Sequence, residues 1–354
     1  MLPELKNHMN TVKFAVIGLG NIGPRHLAVL EQHPDARIVG ICDIDREKCL
    51  RYSEIYNNVP YFTDYAELLR KTDSDVVDIC TPHHLHAPMA IKTAVAEKHV
   101  LVEKPMSISI ESAVDMIDAA RKHNVWLMVV KQNRYNVPVQ LTQKVLDEGR
   151  LGRVFMVQCN VLWNRHDKYY SCSDWRGRKS LEGGALYTQV SHFIDLLIWW
   201  FGDIVSAQAY VETKNHAVEI EDCGLAEVRF TSGVMGTLIW TTCVYRKNYE
   251  GSITIIGEKG TIKIGGEYLN RIEYWDVQDY PLPDNVKFID KPNSYGKYQG
   301  TSSNHDKVIN DVINVVLNKK QNVVKGETGL KTVQAIEMIY QSAEAVNALP
   351  LQPA

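Results

Sequence analysis

A run of apolar, largely β-branched residues, Thr11 to Ile17, feeds straight into Gly18-Leu19-Gly20-Asn21-Ile22-Gly23. Pro24 to Gln32 then takes helical spacing, with Leu27, Val29 and Leu30 supplying an apolar side. Few folds use such a junction. Gly18 permits a tight turn, Gly20 lets backbone approach a diphosphate, and Gly23 lets the helix sit close to the strand. Asn21 and Ile22 lie between these glycines, and the first N–H groups of the helix face the phosphate charge. An ordinary strand–turn–helix joint could carry the same glycines, so a second feature has to decide. Asp43 supplies it, at the end of a second strand (Arg37 to Cys42) and 25 positions after Gly18. A carboxylate there can accept both hydroxyls of a dinucleotide ribose. Ile44, not a basic residue, follows it, so a 2′-phosphate would be repelled and NAD is expected over NADP. Arg46 is close enough to soften that preference.

The first half continues as alternating strands and helices. Strands are expected at Val76 to Cys80, His99 to Val102 and Val125 to Val130. Helices are expected at Tyr65 to Arg70, Ala87 to Glu97 and Ile110 to His123, the last capped by Ser109. This alternation predicts a Rossmann-type, doubly wound parallel sheet. After Asn136 strands follow one another: Val154 to Trp163, Val205 to Val211, Cys223 to Phe230, Val234 to Thr242, Ser252 to Ile256 and Thr261 to Ile264. Turn signals at Thr231-Ser232-Gly233 and Gly257 to Gly260 make that sheet mainly antiparallel. Helices at Val139 to Glu148 and Ala185 to Phe201 accompany it. The expected division is an α/β chain with a dinucleotide-binding domain at 1–130. A second α/β domain at 131–354, with an open sheet, would bind substrate and build oligomers. The tail helices, Ser303 to Leu317 and Glu327 to Ala348, could pack on either domain.

Composition removes several classes of function. Lys plus Arg number 39 against 42 Asp plus Glu, so no basic footprint for nucleic acid or an anionic membrane exists. The apolar run Leu196 to Phe201 is far short of a membrane span, and Met1 to Asn10 has no apolar core of a signal peptide. Seven cysteines lie scattered with no Cys-x-x-Cys pair, as reduced thiols of a cytoplasmic protein do.

Two further segments point to an enzyme. Glu103-Lys104-Pro105 stands at the C-terminal end of an expected strand, where open α/β sheets place their ligands. A lysine there serves as an acid–base group if burial lowers its pKa, although a surface loop would look the same. Gly183-Gly184 opens a helix on which Thr188 and His192 share a face, with Asp195 in reach of it.

The glycine fingerprint, Thr81-Pro82 with His86, Glu103-Lys104-Pro105, Trp175-Arg176 ahead of Gly183-Gly184, and the His192 helix occur here in the order found in one family. In this the chain resembles, over nearly its whole length, the glucose-fructose oxidoreductase / inositol dehydrogenase family. The resemblance implies a Rossmann domain, a second domain whose open sheet builds homodimers or homotetramers, and NAD as cofactor. It implies that Lys104 touches both nicotinamide and substrate and that His192 sits at the reacting hydroxyl. Thr81, Pro82, His86, Glu103, Gln132, Trp175 and Arg176 would line the cofactor. One departure stands out: many members carry Asp where this chain has Thr188, which cannot accept a proton at neutral pH. Lys104 and His192 remain as acid–base candidates.

Lys131 to Arg134, Trp163 to Arg165, Tyr169-Tyr170 and Gly251 to Thr254 look most like the nucleotide-sugar 3-dehydrogenase branch of lipopolysaccharide sugar synthesis. The implied reaction is NAD-dependent oxidation of the 3-hydroxyl of a UDP-linked N-acetylated hexuronate, with 2-oxoglutarate as a candidate acceptor for the recovered hydride. Lys104, Asn133, Arg134, Arg165, Tyr169, Gln189 and His192 would contact the substrate. UDP-N-acetylglucosamine is an alternative substrate, as is a free sugar or inositol. A dinucleotide-sensing regulator is the non-enzymatic alternative, although a regulator would be free to lose Lys104 and His192. No metal is expected: the His83-His84-Leu85-His86 stretch has no cysteine or carboxylate beside it. Trp199-Trp200 reads as helix core and Arg178 as a solvated loop charge.

Overall fold

The computed structural model describes residues 11–288, 292–294, 299–319 and 323–347. The chain divides into two compact units, and the tail is shared between them. Among the described residues, those within 11–107, 111–130 and 305–327 form the first; those within 108–110, 131–304 and 328–347 form the second.

The first unit runs β1 (Val12–Ile17), α1 (Gly23–Gln32), β2 (Ala36–Cys42), α2 (Arg46–Ile55), β3 (Tyr61–Phe62), α3 (Tyr65–Lys71), β4 (Val76–Ile79), α4 (His83–Val95), β5 (His99–Val102), α5 (Ile110–Lys122) and β6 (Leu127–Val129). Its sheet has the order β3-β2-β1-β4-β5-β6, every pairing parallel. That is the dinucleotide-binding order, with the strand order reversing between β1 and β4. Helices cover both faces of such a sheet, so its strands read as continuous apolar runs. In β4 (Val76, Val77, Asp78, Ile79) every residue is buried, so the one carboxylate needs an internal partner. Sequence reading expects neither α2 nor the two-residue edge strand β3. Few apolar residues mark α2, and it is fixed instead by Asp45, which caps Glu47 and Lys48.

The second unit runs α6 (Val137–Asp147), β7 (Val154–Leu162), α7 (Asp167–Ser171), α8 (Lys179–Glu182), α9 (Ser191–Phe201), β8 (Ile204–Glu212), β9 (Cys223–Phe230), β10 (Met235–Thr241), β11 (Glu250–Gly257), β12 (Gly260–Gly265), β13 (Arg271–Val277), β14 (Pro292–Ser294) and β15 (Gln299–Ser302). The tail helices are α10 (His305–Val316), which belongs to the first unit, and α11 (Gly326–Asn347), most of which belongs to the second. The large sheet has the order β13-β12-β11-β7-β10-β9-β8. It is antiparallel except where β10 runs parallel to β7. Alternation sends Ala226, Val228, Phe230, Leu238 and Trp240 into the core. The other face leaves Met156, Tyr210, Leu225, Met235, Ile239 and Ile256 exposed. Strand β13 escapes sequence reading because this edge strand is largely solvent-facing and carries charge. The helix expected at Ala185 to Phe201 also breaks in two: Leu186–Val190 winds as a wide π turn, and regular helix starts at Ser191.

Candidate active site

The glycine loop is shaped as its sequence requires. Gly18 has φ +96°, and a Cβ on it would stand 2.7 Å from the Cys80 carbonyl oxygen. A Cβ on Gly23 would meet the Gly18 carbonyl oxygen at 1.9 Å, so only glycine lets α1 start here. At Gly20 nothing lies within 4 Å, and Gly20 and Asn21 form an exposed apex. Asp43 stands beside the loop with its two oxygens fixed by backbone: Leu19 N–H donates to Oδ2 at 2.7 Å and Asp45 N–H to Oδ1 at 2.9 Å. Each oxygen keeps lone-pair capacity for a ribose hydroxyl. An open, amide-lined apex with a fixed carboxylate fits a dinucleotide. Lys48 brings Nζ to 4.0 Å from Asp43 Oδ1, a cation that sequence reading does not place there. Titration calorimetry should show NAD(H) binding tighter than NADP(H), and Asp43→Ala should narrow the gap. Equal or tighter NADP(H) binding by the wild type would contradict this account of Asp43.

At the C-terminal ends of β4 and β5 the structure holds a buried charge network. His26, on the inward face of α1, places Nδ1 2.7 Å from Asp78 Oδ2 and Nε2 3.3 Å from Glu103 Oε1. His305, from α10, puts Nε2 3.6 Å from the same Glu103 oxygen, and its ring lies 5.0 Å from that of His26. The Lys104 N–H donates to Glu103 Oε2 at 2.9 Å. Burial would lower the His26 pKa, but Asp78 and Cys80 outweigh it and hold the ring well above the usual imidazole range. Burial would likewise raise Glu103, yet its two histidine neighbours bring it well below the usual carboxylate range. Burial keeps His305 below the ordinary value, and it pushes the Cys80 thiol up to about 12. The network therefore sets the raised His26 ring between the Asp78 and Glu103 carboxyl groups, with His305 packed beside Glu103. The Glu103 carboxylate thus points inward and fixes the backbone of Lys104, rather than lying free as the cofactor-lining group expected from sequence. Lys104 itself is half-buried, and its peptide to Pro105 is cis.

His86 is also a brace. It is fully buried, with Nδ1 2.7 Å from the Pro105 carbonyl oxygen and Nε2 2.8 Å from that of Thr81. Burial holds its pKa below the ordinary value, although both carbonyls favour the protonated ring. In this way it ties the Thr81-Pro82 turn to the loop that carries Lys104.

In the second unit, a turn at Gln132–Tyr135 and helix α9 organise the candidates. Arg134, expected to contact substrate, is engaged within its own unit on one edge of its guanidinium. Its Nε and Nη2 grip Asp195 Oδ2 and Oδ1 at 2.7 and 2.9 Å, and its guanidinium caps the Trp199 ring at 4.7 Å. Lys131 Nζ adds a contact to Asp195 at 3.5 Å. Burial would raise Asp195, but the two cations hold it below the usual carboxylate range. Asp195 thus fills one edge of the guanidinium, while Nη1 and the second N–H of Nη2 stay available to a further acceptor. The same commitment withdraws Asp195 from His192. Thr188, at the position of the family's aspartate, donates to Glu182 Oε1 at 2.9 Å. Trp199 and Trp200 are half-buried rather than core, and Arg178 is exposed as expected.

Arg165, Tyr169, Trp175, Arg176 and Gln189 come together. The Arg176 guanidinium lies 4.4 Å from the Tyr169 ring centre and that of Arg165 5.3 Å from it; Trp175 is 5.1 Å from Arg176. Gln189 Nε2 donates to Tyr169 Oη at 3.2 Å. Arg165 is buried and braced through Nη1 by the Asn164 carbonyl and Asn248 Oδ1. Asn133 is 2% exposed, yet neither atom of its amide has a hydrogen-bond partner among the described residues. Such a group is costly unless a ligand completes it. His192 is buried on the first turn of α9, immediately after the π turn. Such turns recur at functional sites.

Sequence reading misses His26, Asp78 and His305. Two of them leave a signal: His26 falls on the apolar stripe of α1 with Leu27 and Leu30, and Asp78 interrupts an apolar strand. His305 leaves none, since it joins Glu103 from 202 positions away.

The profile of the Gfo/Idh/MocA oxidoreductase family, NAD-binding Rossmann fold, matches residues 12–131, and that of its C-terminal alpha/beta domain matches residues 143–351. The chain belongs to this family. It is a Gfo/Idh/MocA oxidoreductase that uses NAD. Among solved structures it is similar to the WlbA dehydrogenase of Bordetella pertussis in complex with NADH and UDP-GlcNAcA. Identity there is 34% and the TM-score 0.86, covering 97% of this chain and 100% of that one. The WlbA dehydrogenase of Chromobacterium violaceum, with the same two ligands, gives 34% identity and a TM-score of 0.87 over 100% and 99%. Levoglucosan dehydrogenase of Pseudarthrobacter phenanthrenivorans is 28% identical over 235 residues, and the match spans 60% of each protein. The family assignment therefore covers both units, while the sugars bound to or named for these relatives differ.

Proposed function

We propose that this Gfo/Idh/MocA oxidoreductase is a UDP-N-acetyl-2-amino-2-deoxyglucuronate 3-dehydrogenase. It would oxidise the 3-hydroxyl of the UDP-linked hexuronate to a ketone in the cytoplasm, for the diamino sugars of lipopolysaccharide. The similarity to two WlbA enzymes bound to NADH and UDP-GlcNAcA, over at least 97% of the chain, carries this reading.

The residues are suited to it. Bound NAD would supply the hydride acceptor. The open Gly20 apex and the start of α1 hold the diphosphate of the dinucleotide, and Asp43 holds its ribose. Lys104, fixed through its backbone by Glu103, or His192 takes the hydroxyl proton. Arg165 and Arg176 offer the positive charge that a uronate carboxylate or a diphosphate needs, and Asn133 and Gln189 offer amide contacts. With one edge of Arg134 already committed to Asp195, less positive charge remains for a trianionic substrate, which favours UDP-N-acetylglucosamine as the second reading. In turnover with 3-deuterated UDP-N-acetylglucosaminuronate, deuterium should appear in NADH and a 3-keto sugar should form. Label retained in the sugar would overturn the reaction. Addition of 2-oxoglutarate should then release NAD and a reduced 2-hydroxy acid.

The exposed row Met156, Tyr210, Leu225, Met235, Ile239 and Ile256 supports a second copy of the chain as occupant of the open sheet face. Light scattering should report a homodimer or homotetramer, and paired Met235→Asp and Ile239→Asp should give monomer. A monomeric wild type would contradict this.

A further inference from the structure

From the far end of β9 and β10 we infer a binding site for a single thiophilic divalent cation of the zinc class, built by Cys223, Cys243, His216 and Asp222. Cys243 Sγ lies 3.8 Å from Cys223 Sγ and 3.9 Å from His216 Nδ1, and His216 Nδ1 lies 3.0 Å from Asp222 Oδ2. A tetrahedral cation with metal–sulfur bonds of ~2.3 Å and metal–nitrogen bonds of ~2.0 Å has sulfur–sulfur edges of about 3.8 Å and sulfur–nitrogen edges of about 3.5 Å. The sulfur–sulfur and Cys243–His216 separations are therefore close to two edges of such a site, and Cys223 closes on the other donors when the cation binds. Donor atoms of His216, Asp222 and Cys243 all lie within 4.8 Å of one another, and Cys223 joins them through Cys243.

The surrounding backbone holds these groups in place. Asp222 accepts N–H bonds from Lys214 at 2.7 Å and from Asn215 and His216 at 2.9 Å each, which folds this loop back and delivers the His216 ring. Thr241 Oγ1 donates to the Asp222 carbonyl, accepts from Cys243 N–H at 3.0 Å and touches Cys223 Sγ at 3.0 Å. One hydroxyl thus positions both thiols. His216 and Asp222 are buried while both cysteines are half-exposed, so the pocket has rigid walls and an entry.

Cys223 faces Thr241 across the sheet, and Cys243 follows two residues past the end of that ladder, where it bridges to Asn164. Both cysteines are free thiols, with their sulfurs 3.8 Å apart. On binding, two thiol protons leave to solvent, two sulfur–metal bonds form, and His216 moves its proton to Nε2 so that Nδ1 can ligate. The burial that pushes the Cys243 thiol up to about 12 is then opposed by the cation's charge. Sequence reading, with no paired cysteine motif, offers no hint of this site; only the strand register assembles it.

The test uses the full chain, reduced and stripped with chelator, and dialysed against Zn²⁺ alone. One equivalent should bind per chain and raise the melting temperature. Cys243→Ser and the Cys223→Ser/Cys243→Ser pair should lose it, and His216→Gln should weaken it by more than the roughly 10–100-fold that loss of an outer-sphere partner costs. Co²⁺ added to the wild type should give tetrahedral absorption with thiolate charge transfer, a readout that needs no variant to fold. Absence of stoichiometric Zn²⁺, retention of it by the double serine variant, or Co²⁺ spectra without thiolate bands would overturn the site. So would a Cys223–Cys243 disulfide, mapped by mass spectrometry, forming in place of metal uptake under mild oxidation.

Discussion

Replacing His26 with leucine is expected to destabilise the protein by about 3–5 kcal/mol, the usual effect of removing one partner from a buried charge pair. Asp78 and Glu103 would be left as buried carboxylates around an apolar side chain. That is a large fraction of the ~5–15 kcal/mol that holds a domain together. Urea unfolding followed by circular dichroism measures it. The pH dependence identifies the cause. The folded His26 pKa is raised, so its contribution is full below the ordinary value of 6.5 and shrinks as pH climbs from there through the raised one. The folded Glu103 pKa is depressed, so its contribution is full above 4.5 and shrinks as pH falls from there through the lowered one. The gap between wild type and His26→Leu should therefore be widest between pH 4.5 and 6.5 and narrow on both sides. A loss below ~1 kcal/mol, or a gap independent of pH, would mean that the network carries no ionic contact.

Lys104→Met should lower turnover by the ~10²–10⁴ typical of a lost acid–base group while NAD binding changes much less. The loop that carries Lys104 is held from three sides that the substitution leaves intact: Glu103 on its N–H, His86 on the Pro105 carbonyl, and the strand β5 before it. A drop in kcat with the NAD dissociation constant preserved separates a chemical role from a collapsed loop. Near-normal turnover would return the assignment to His192 alone.

The sheet of the first unit and the order of elements were legible because glycines, apolar strands and capped helices are local signals. Thr81, His86 and Lys104 were legible as residues, yet what their neighbours do was not. Glu103 reads as cofactor lining in a Glu-Lys-Pro turn; histidines from α1 and α10 hold its carboxylate inward. Arg134 looks wholly available until Asp195 is found 61 positions away in sequence with both oxygens on one edge of it. Cys223 and Cys243 read as scattered thiols because strand register, not spacing, brings their sulfurs to 3.8 Å. Charge partners across long separations leave little trace in a single sequence, since an isolated Asp or His reads the same whether paired or solvated. The π turn before His192 was hidden for another reason: its residues keep an ordinary helical pattern, and the extra residue in the turn shows only in the backbone.

The central claim is that the substrate is a UDP-linked uronate, and the ratio of kcat/KM for UDP-N-acetylglucosaminuronate to that for UDP-N-acetylglucosamine tests it most directly. In the proposed reaction a buried guanidinium such as Arg165 would pair with the uronate carboxylate, and the neutral sugar would leave it without that partner. The ratio should then be on the order of 10² or more, with no turnover of free glucose or inositol. Comparable values for the two UDP sugars would assign the enzyme to the neutral hexosamine, and turnover of free inositol or glucose would contradict the nucleotide-sugar account altogether.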